Sequence, residues 1–197
     1  MKKIFELHQK ITLLVNEYSV LKETASGQQV LAGYAKQKRL ALREQFTLFA
    51  DSTQQKVIAT SKARSVMDFS PVFDIYDEAG KSLAVIKKEF KKSLLISSWS
   101  VYDPAMQKPL FTVAEKSPAV AIARRAWEFI PVVSEIMPFP LRFHFSIKSG
   151  EQLAGEYLKI TTFRDHYALY LQEDQTASLD ERAWMVLAVL LDAMQSR

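Results

Sequence analysis

Nine consecutive residues, Ala183 to Leu191, carry no polar side chain. They lie inside SLDERAWMVLAVLLDAMQ (178–195), where Ser178 and Glu181 have the S-x-x-E spacing of a capping box. As a helix this segment is apolar on every side, and such a helix has to be surrounded by protein or by lipid. The apolar run is about 14 Å long at 1.5 Å per residue, whereas a spanning helix needs about 20 residues. The helix is therefore expected inside the protein. The rest of the chain must supply a wall that closes around it.

The wall is legible as a repeat. An aromatic residue, any residue, then an apolar one recurs as Tyr18/Val20, Phe46/Leu48, Phe73/Ile75, Trp99/Val101, Phe143/Phe145 and Tyr167/Leu169. Alternation at period two marks a strand with one buried face. After each of the first five anchors comes a turn signal and then a second apolar stretch. Asp77-Glu78-Ala79-Gly80 leads to Leu83, Val85 and Ile86; Asp103-Pro104 leads to Leu110, Phe111 and Val113. Five hairpins, a sixth anchor strand at 166–172 and an opening strand near 4–14 make about a dozen strands. A barrel of that size has a lumen that side chains alone do not fill, and a central helix can fill it.

One interval departs from the rhythm. The anchors are spaced by 28, 27, 26, 44 and 24 residues. The long gap contains SPAVAIARRAWEFIP (117–131), with Ser117 placed to cap and Pro118 to open a helix. Ile122, Ala123, Ala126, Trp127 and Ile130 recur at helical spacing, so a second, mid-chain helix is expected there.

These features together resemble the tubby C-terminal-like superfamily, and more closely its LURP-one-related and phospholipid scramblase-like branch. The resemblance is carried by VFDIYDEAGKSLAVIKK (72–88), SWSVYDPAMQKPLFTV (98–113) and FRDHYALYLQEDQTASLDERAWMVLAVLLDAMQ (163–195), and it extends from about Lys2 to Gln195. It implies a closed barrel of about twelve strands around the C-terminal helix, as one domain over 1–197. It implies no established activity. Tubby domains bind phosphoinositides, which makes anionic headgroups a candidate ligand.

Several chemistries are excluded or find no support. The chain has no cysteine, so it has no disulfide, thiolate zinc site, iron–sulfur cluster or cysteine nucleophile. Nucleotide-binding glycine loops and G-x-S-x-G are also absent. The three histidines, His8, His144 and His166, have no ligand spacing. Asp165 and His166 are neighbours on a strand and should face opposite ways. The acidic stretch from Glu173 to Glu181 matches the calcium-associated segment of scramblases only in position. It lacks alternating oxygen ligands and a turn glycine, and Asp180 and Glu181 suit a helix N-terminus instead. No enzyme, cofactor or metal is expected. The opening MKKIFELHQKITLLV is interrupted by Glu6, His8, Gln9 and Lys10 and does not read as a signal peptide.

Two basic clusters remain. One holds Lys36, Lys38, Arg39 and Arg43; the other holds Lys81, Lys87, Lys88, Lys91 and Lys92, offset by Glu89. Both fall where the second strand of a hairpin runs into a loop. Lysine there can serve only to keep an edge soluble, or it can attract phosphate-bearing headgroups. The sequence reading is thus a non-enzymatic, cytoplasmic binding module, peripheral to a membrane and directed to anionic phospholipid or phosphoinositide headgroups. The candidate contacts are Lys87, Lys88, Lys91, Lys92, Lys36, Lys38 and Arg39. The alternative is a cytoplasmic interaction or scaffolding protein with an unknown protein partner and no lipid role. Aromatic residues sit mainly at core anchors, which disfavours nucleic acid.

Overall fold

The computed structural model describes residues 1–12, 15–38, 45–65, 70–89, 98–117, 144–161 and 164–194. The expected mid-chain helix lies outside these residues. Twelve strands are present: β1 (Lys2–Ile11), β2 (Val15–Glu23), β3 (Gln29–Lys38), β4 (Gln45–Phe49), β5 (Val57–Ala63), β6 (Val72–Asp77), β7 (Ser82–Glu89), β8 (Ser98–Tyr102), β9 (Pro109–Glu115), β10 (His144–Ser149), β11 (Gln152–Lys159) and β12 (Asp165–Leu171). Each pairs antiparallel with its neighbours in sequence, and β1 pairs with β12 to close the barrel.

Closure follows from the alternation. On every even strand the anchor residues point inward and are buried: Tyr18, Val20, Phe46, Leu48, Phe73, Ile75, Trp99, Val101, Phe145, Tyr167 and Leu169. The tight turns lie at one mouth. At Asp77–Lys81 the Asp77 carboxylate accepts from the backbone N–H groups of Ala79 and Lys81. Gly80 completes this turn at φ +81°, a conformation costly for any residue with a Cβ.

One helix, α1 (Glu181–Ala193), runs through the lumen, with every residue from Ala183 to Ala193 buried. Trp184 packs on Phe111 with ring centroids 5.0 Å apart, and the Tyr157 hydroxyl donates to the Ala188 carbonyl at 3.4 Å. The start of the helix corrects the capping-box expectation. Asp180 is the N-cap and accepts from the Arg182 N–H, while the Ser178 hydroxyl donates back to the Gln175 carbonyl. The boundary moves because Leu179 is itself buried, which leaves Asp180 as the first polar side chain able to reach the open N–H groups. Hydrogen bonds from Arg182 hold the Asp180 carboxyl below its usual range. Arg182 also reaches Glu78 at 2.6 Å, and Lys22 pairs with Glu181 at 2.8 Å, so this end of the helix is tied to β2 and to the β6–β7 turn.

Gly155 on β11 explains a local irregularity. The register against β10 shifts between Ile147 and Lys148, leaving a bulge beside this glycine. A Cβ there would stand 2.4 Å from the Tyr170 carbonyl oxygen and 2.6 Å from Leu171 Cδ2. Gly155→Ala should therefore cost about 1–3 kcal/mol by overpacking. Urea unfolding of the variant, with the slope unchanged and the midpoint lowered, is the check.

Candidate functional site

The direction of the strands decides where charge collects. All odd strands run one way, so β3 and β7 end at the same mouth of the barrel. Lys36 and Lys38 on β3 and Lys87 on β7 therefore lie toward one end, on strands four spacings or about 19 Å apart along the wall, whereas Lys81, in the β6–β7 turn, lies at the other mouth. The described residues of the segments that join strands at this end are 12, 64–65, 70–71, 116–117, 160–161 and 164. Together they hold three Lys or Arg and no Asp or Glu, net +3. The connections at the other mouth are 24–28, 50–56, 78–81, 103–108, 150–151 and 172–180. These hold three Lys or Arg and seven Asp or Glu, net −4. The central helix is aligned with this separation. Its N-terminus lies among carboxylates and its C-terminus at the basic mouth, the arrangement the helix dipole favours.

The individual lysines are not equivalent. Lys36 is exposed on the outer face, 3.9 Å from the Glu17 carboxylate. Lys38 is the last residue of β3. Lys87 is partly exposed and pairs with Glu89 at 3.3 Å. Lys88, one position on, faces the lumen. Its ammonium lies 5.4 Å from the Trp99 ring centroid and donates to the Met194 carbonyl at 3.3 Å. Adjacent strand residues point to opposite faces, so Lys87 and Lys88 do not form one patch. Lys88 binds the C-terminal end of α1. Arg39, Lys91 and Lys92 lie outside the described residues.

The same end of the lumen holds a polar group that the sequence reading missed. Lys159, 1% exposed, pairs with Asp165 at 2.8 Å. The Tyr167 hydroxyl lies 3.3 Å from the same carboxylate and also bonds Asp192 of α1. Burial, reinforced by the Asp192 charge, pushes Tyr157 and Tyr167 well above the usual tyrosine range, so both act as neutral donors. Parity carried a signal for this group. Lys159 stands two residues after the inward Tyr157, and Asp165 two before the inward Tyr167.

Asp165 faces inward and His166 outward, so they form no acid–base pair. His166 stacks on His8 across the closing seam, with centroids 3.7 Å apart and planes 3° from parallel. Burial first, and His8 second, lowers the His166 pKa. Among the described residues no group of three or more His, Asp or Glu side chains could hold a metal ion. No described helix is long and apolar enough to cross a membrane.

The sequence model of LURP-one-related domains matches residues 31–192. The chain belongs to the LURP-one-related family. The match begins in β3, so β1 and β2 lie outside it, yet they complete the LURP-one-related barrel by closing it onto β12. No curated protein matches the chain. Family membership agrees with the resemblance drawn from the hairpin series and places this barrel in the tubby-like group.

Proposed function

We propose that this LURP-one-related barrel works as a single, non-enzymatic domain that docks through its basic mouth onto anionic phospholipid or phosphoinositide headgroups. It acts at the cytoplasmic side as a peripheral protein. The observation that supports this reading is the separation of charge between the two mouths. A flat anionic surface attracts one end and repels the other, so charge alone orients the barrel. Lys36, Lys38 and Lys87 lie toward the attracted end, and Arg39, Lys91 and Lys92, which follow β3 and β7 in the sequence, are the further contacts of this proposal. Lys88 is left out because its ammonium is engaged at the end of α1.

Each lysine near such a surface contributes about 1 kcal/mol, and the attraction fades over about 8 Å at physiological ionic strength. The combined change of Lys87, Lys91 and Lys92 to glutamine should weaken binding about a hundredfold. The melting temperature should not move, because none of the three is assigned to the core. The measurement is flotation with vesicles containing phosphatidylserine or a phosphoinositide, at low and high salt. The wild-type chain should float at low salt and be released at high salt. If it ignores anionic vesicles even at low salt, the headgroup reading fails and a protein-scaffolding role replaces it.

A further inference from the structure

The β1–β2 connection differs from the tight turns at the opposite mouth. Gly27, Gly80 and Gly150, in the connections that follow β2, β6 and β10, all take positive φ and lie at the acidic mouth. The connection between β1 and β2 lies at the basic mouth and is closed by three hydrogen bonds. The Thr12 N–H donates to the Val15 carbonyl at 2.9 Å, and the Thr12 hydroxyl donates to the same carbonyl at 2.6 Å. The Val15 N–H donates to that hydroxyl at 3.1 Å. Only Leu13 and Leu14 stand between Thr12 and Val15 in the sequence. Two-residue hairpin connections favour Asn-Gly, Asp-Gly or Gly-Gly, because their central residues take positive φ. Two leucines meet no such need, so turn formation does not account for them.

Exposure adds a second observation. Ile11, the last residue of β1, is 45% exposed, and Lys10 beside it is exposed as well. The other exposed large apolar side chains among the described residues are Met1, Val30, Leu31 and Leu153. They stand at or near the beginnings of β1, β3 and β11, which is the acidic mouth. An anionic surface repels that mouth, so of these five residues Ile11 is the one that docking brings forward. Charge stands close to it. Lys38 on β3 is the register partner of Val15.

We propose that the β1–β2 connection inserts into the headgroup layer of an anionic bilayer, with Ile11 at its base and Leu13 and Leu14 as further contacts. Lys10 and Lys38 stay at the level of the phosphates. This insertion presupposes the headgroup docking proposed above and gives it an element and a depth. Interfacial binding grows with buried apolar area together with attraction to anionic lipid. The lysines bring the barrel down and orient it, and the apolar connection then leaves water. At high salt the lysines are screened, and the small apolar area alone does not hold the barrel.

The chain has no cysteine, so one introduced cysteine carries a dye at a single known place. Leu14→Cys and, as a control at the acidic mouth, Ser52→Cys are labelled with a polarity-sensitive nitrobenzoxadiazole dye. The vesicles contain phosphatidylcholine and phosphatidylserine, at low salt. The dye at position 14 should brighten and be quenched by lipid spin-labelled near the headgroup; the dye at position 52 should do neither. Leu13→Asn combined with Leu14→Gly supplies the pair that a two-residue hairpin prefers. The melting temperature of this double variant should hold or rise. Its affinity for the vesicles should fall about tenfold with the salt dependence unchanged, because the lysines remain. Ile11→Thr, which keeps a β-branched residue on the strand, should weaken binding to a smaller extent. Insertion is overturned if the wild-type chain floats but the dye at position 14 stays as in water, or if the folded double variant binds as tightly as wild type. Either result leaves the headgroup reading standing. A double variant that melts well below wild type also overturns it, by assigning the leucines to the core. A wild-type chain that ignores these vesicles overturns both readings.

Discussion

A chain ending at Thr176 should lose its cooperative fold. The truncation removes α1, whose residues from Ala183 to Ala193 are all buried against the inner faces of the strands. Burying five or so of its large side chains is worth about 10 kcal/mol before entropy, comparable with the whole net stability of a domain. The loss is not confined to the helix. Phe111, Tyr157 and the other inward anchors would line a water-filled lumen, and antiparallel strands cannot contract to fill it without changing their number or stagger. The expected product is insoluble, or has strand-like far-ultraviolet dichroism without a sharp melting transition. Leu187→Asp in the full chain is a milder version. It places a charge at a position 1% exposed and should destabilise by more than about 4 kcal/mol. A truncated chain that stayed soluble and melted sharply would falsify the assignment of α1 as the barrel core.

Breaking the pair between Lys159 and Asp165 should be nearly as damaging. With Lys159 1% exposed, Asp165→Ala would take away the carboxylate that stands 2.8 Å from a buried ammonium. Removal of one partner of a buried ion pair costs about 3–5 kcal/mol. Replacing both, as Lys159→Met with Asp165→Leu, should recover most of that loss, because apolar residues of similar volume avoid desolvating two charges. Chemical unfolding of the two single variants and the double variant forms a cycle that isolates the coupling. The Tyr167 hydroxyl keeps Asp192 as a partner in the double variant. A double variant no more stable than the worse single one would show that the pair is not the organising interaction at this mouth.

These two predictions sit at different distances from the primary sequence. The lumenal helix was legible because its information is local. Nine apolar residues covering all sides of a cylinder, too few to span a bilayer, admit only burial within protein. The strands were legible for the same reason: Phe73 and Ile75, or Trp99 and Val101, declare an inner face by period-two alternation alone. Inward parity also predicts that Asp165 and His166 diverge, as they do.

What the sequence did not yield depends on closure. Lys87 and Lys88 look like one cluster in a string of letters. In the barrel, one meets Glu89 and the other reaches over Trp99 to the last turn of α1, 106 residues away. The helix N-cap passed from Ser178 to Asp180 because Leu179 is drawn into the core and Arg182 is held by Glu78 from the far side of a turn. The sequence by itself determined the strands, their inner faces and a helix that must be enclosed, since each is a repeat of fixed period within a few residues. Only the tertiary structure decided that Lys87 and Lys88 take different partners, that Lys159 finds Asp165, and that, among the described residues, β3 and β4 pair over so short a stretch. Those outcomes depend on how twelve strands stagger when the first meets the last, and no local period encodes that stagger.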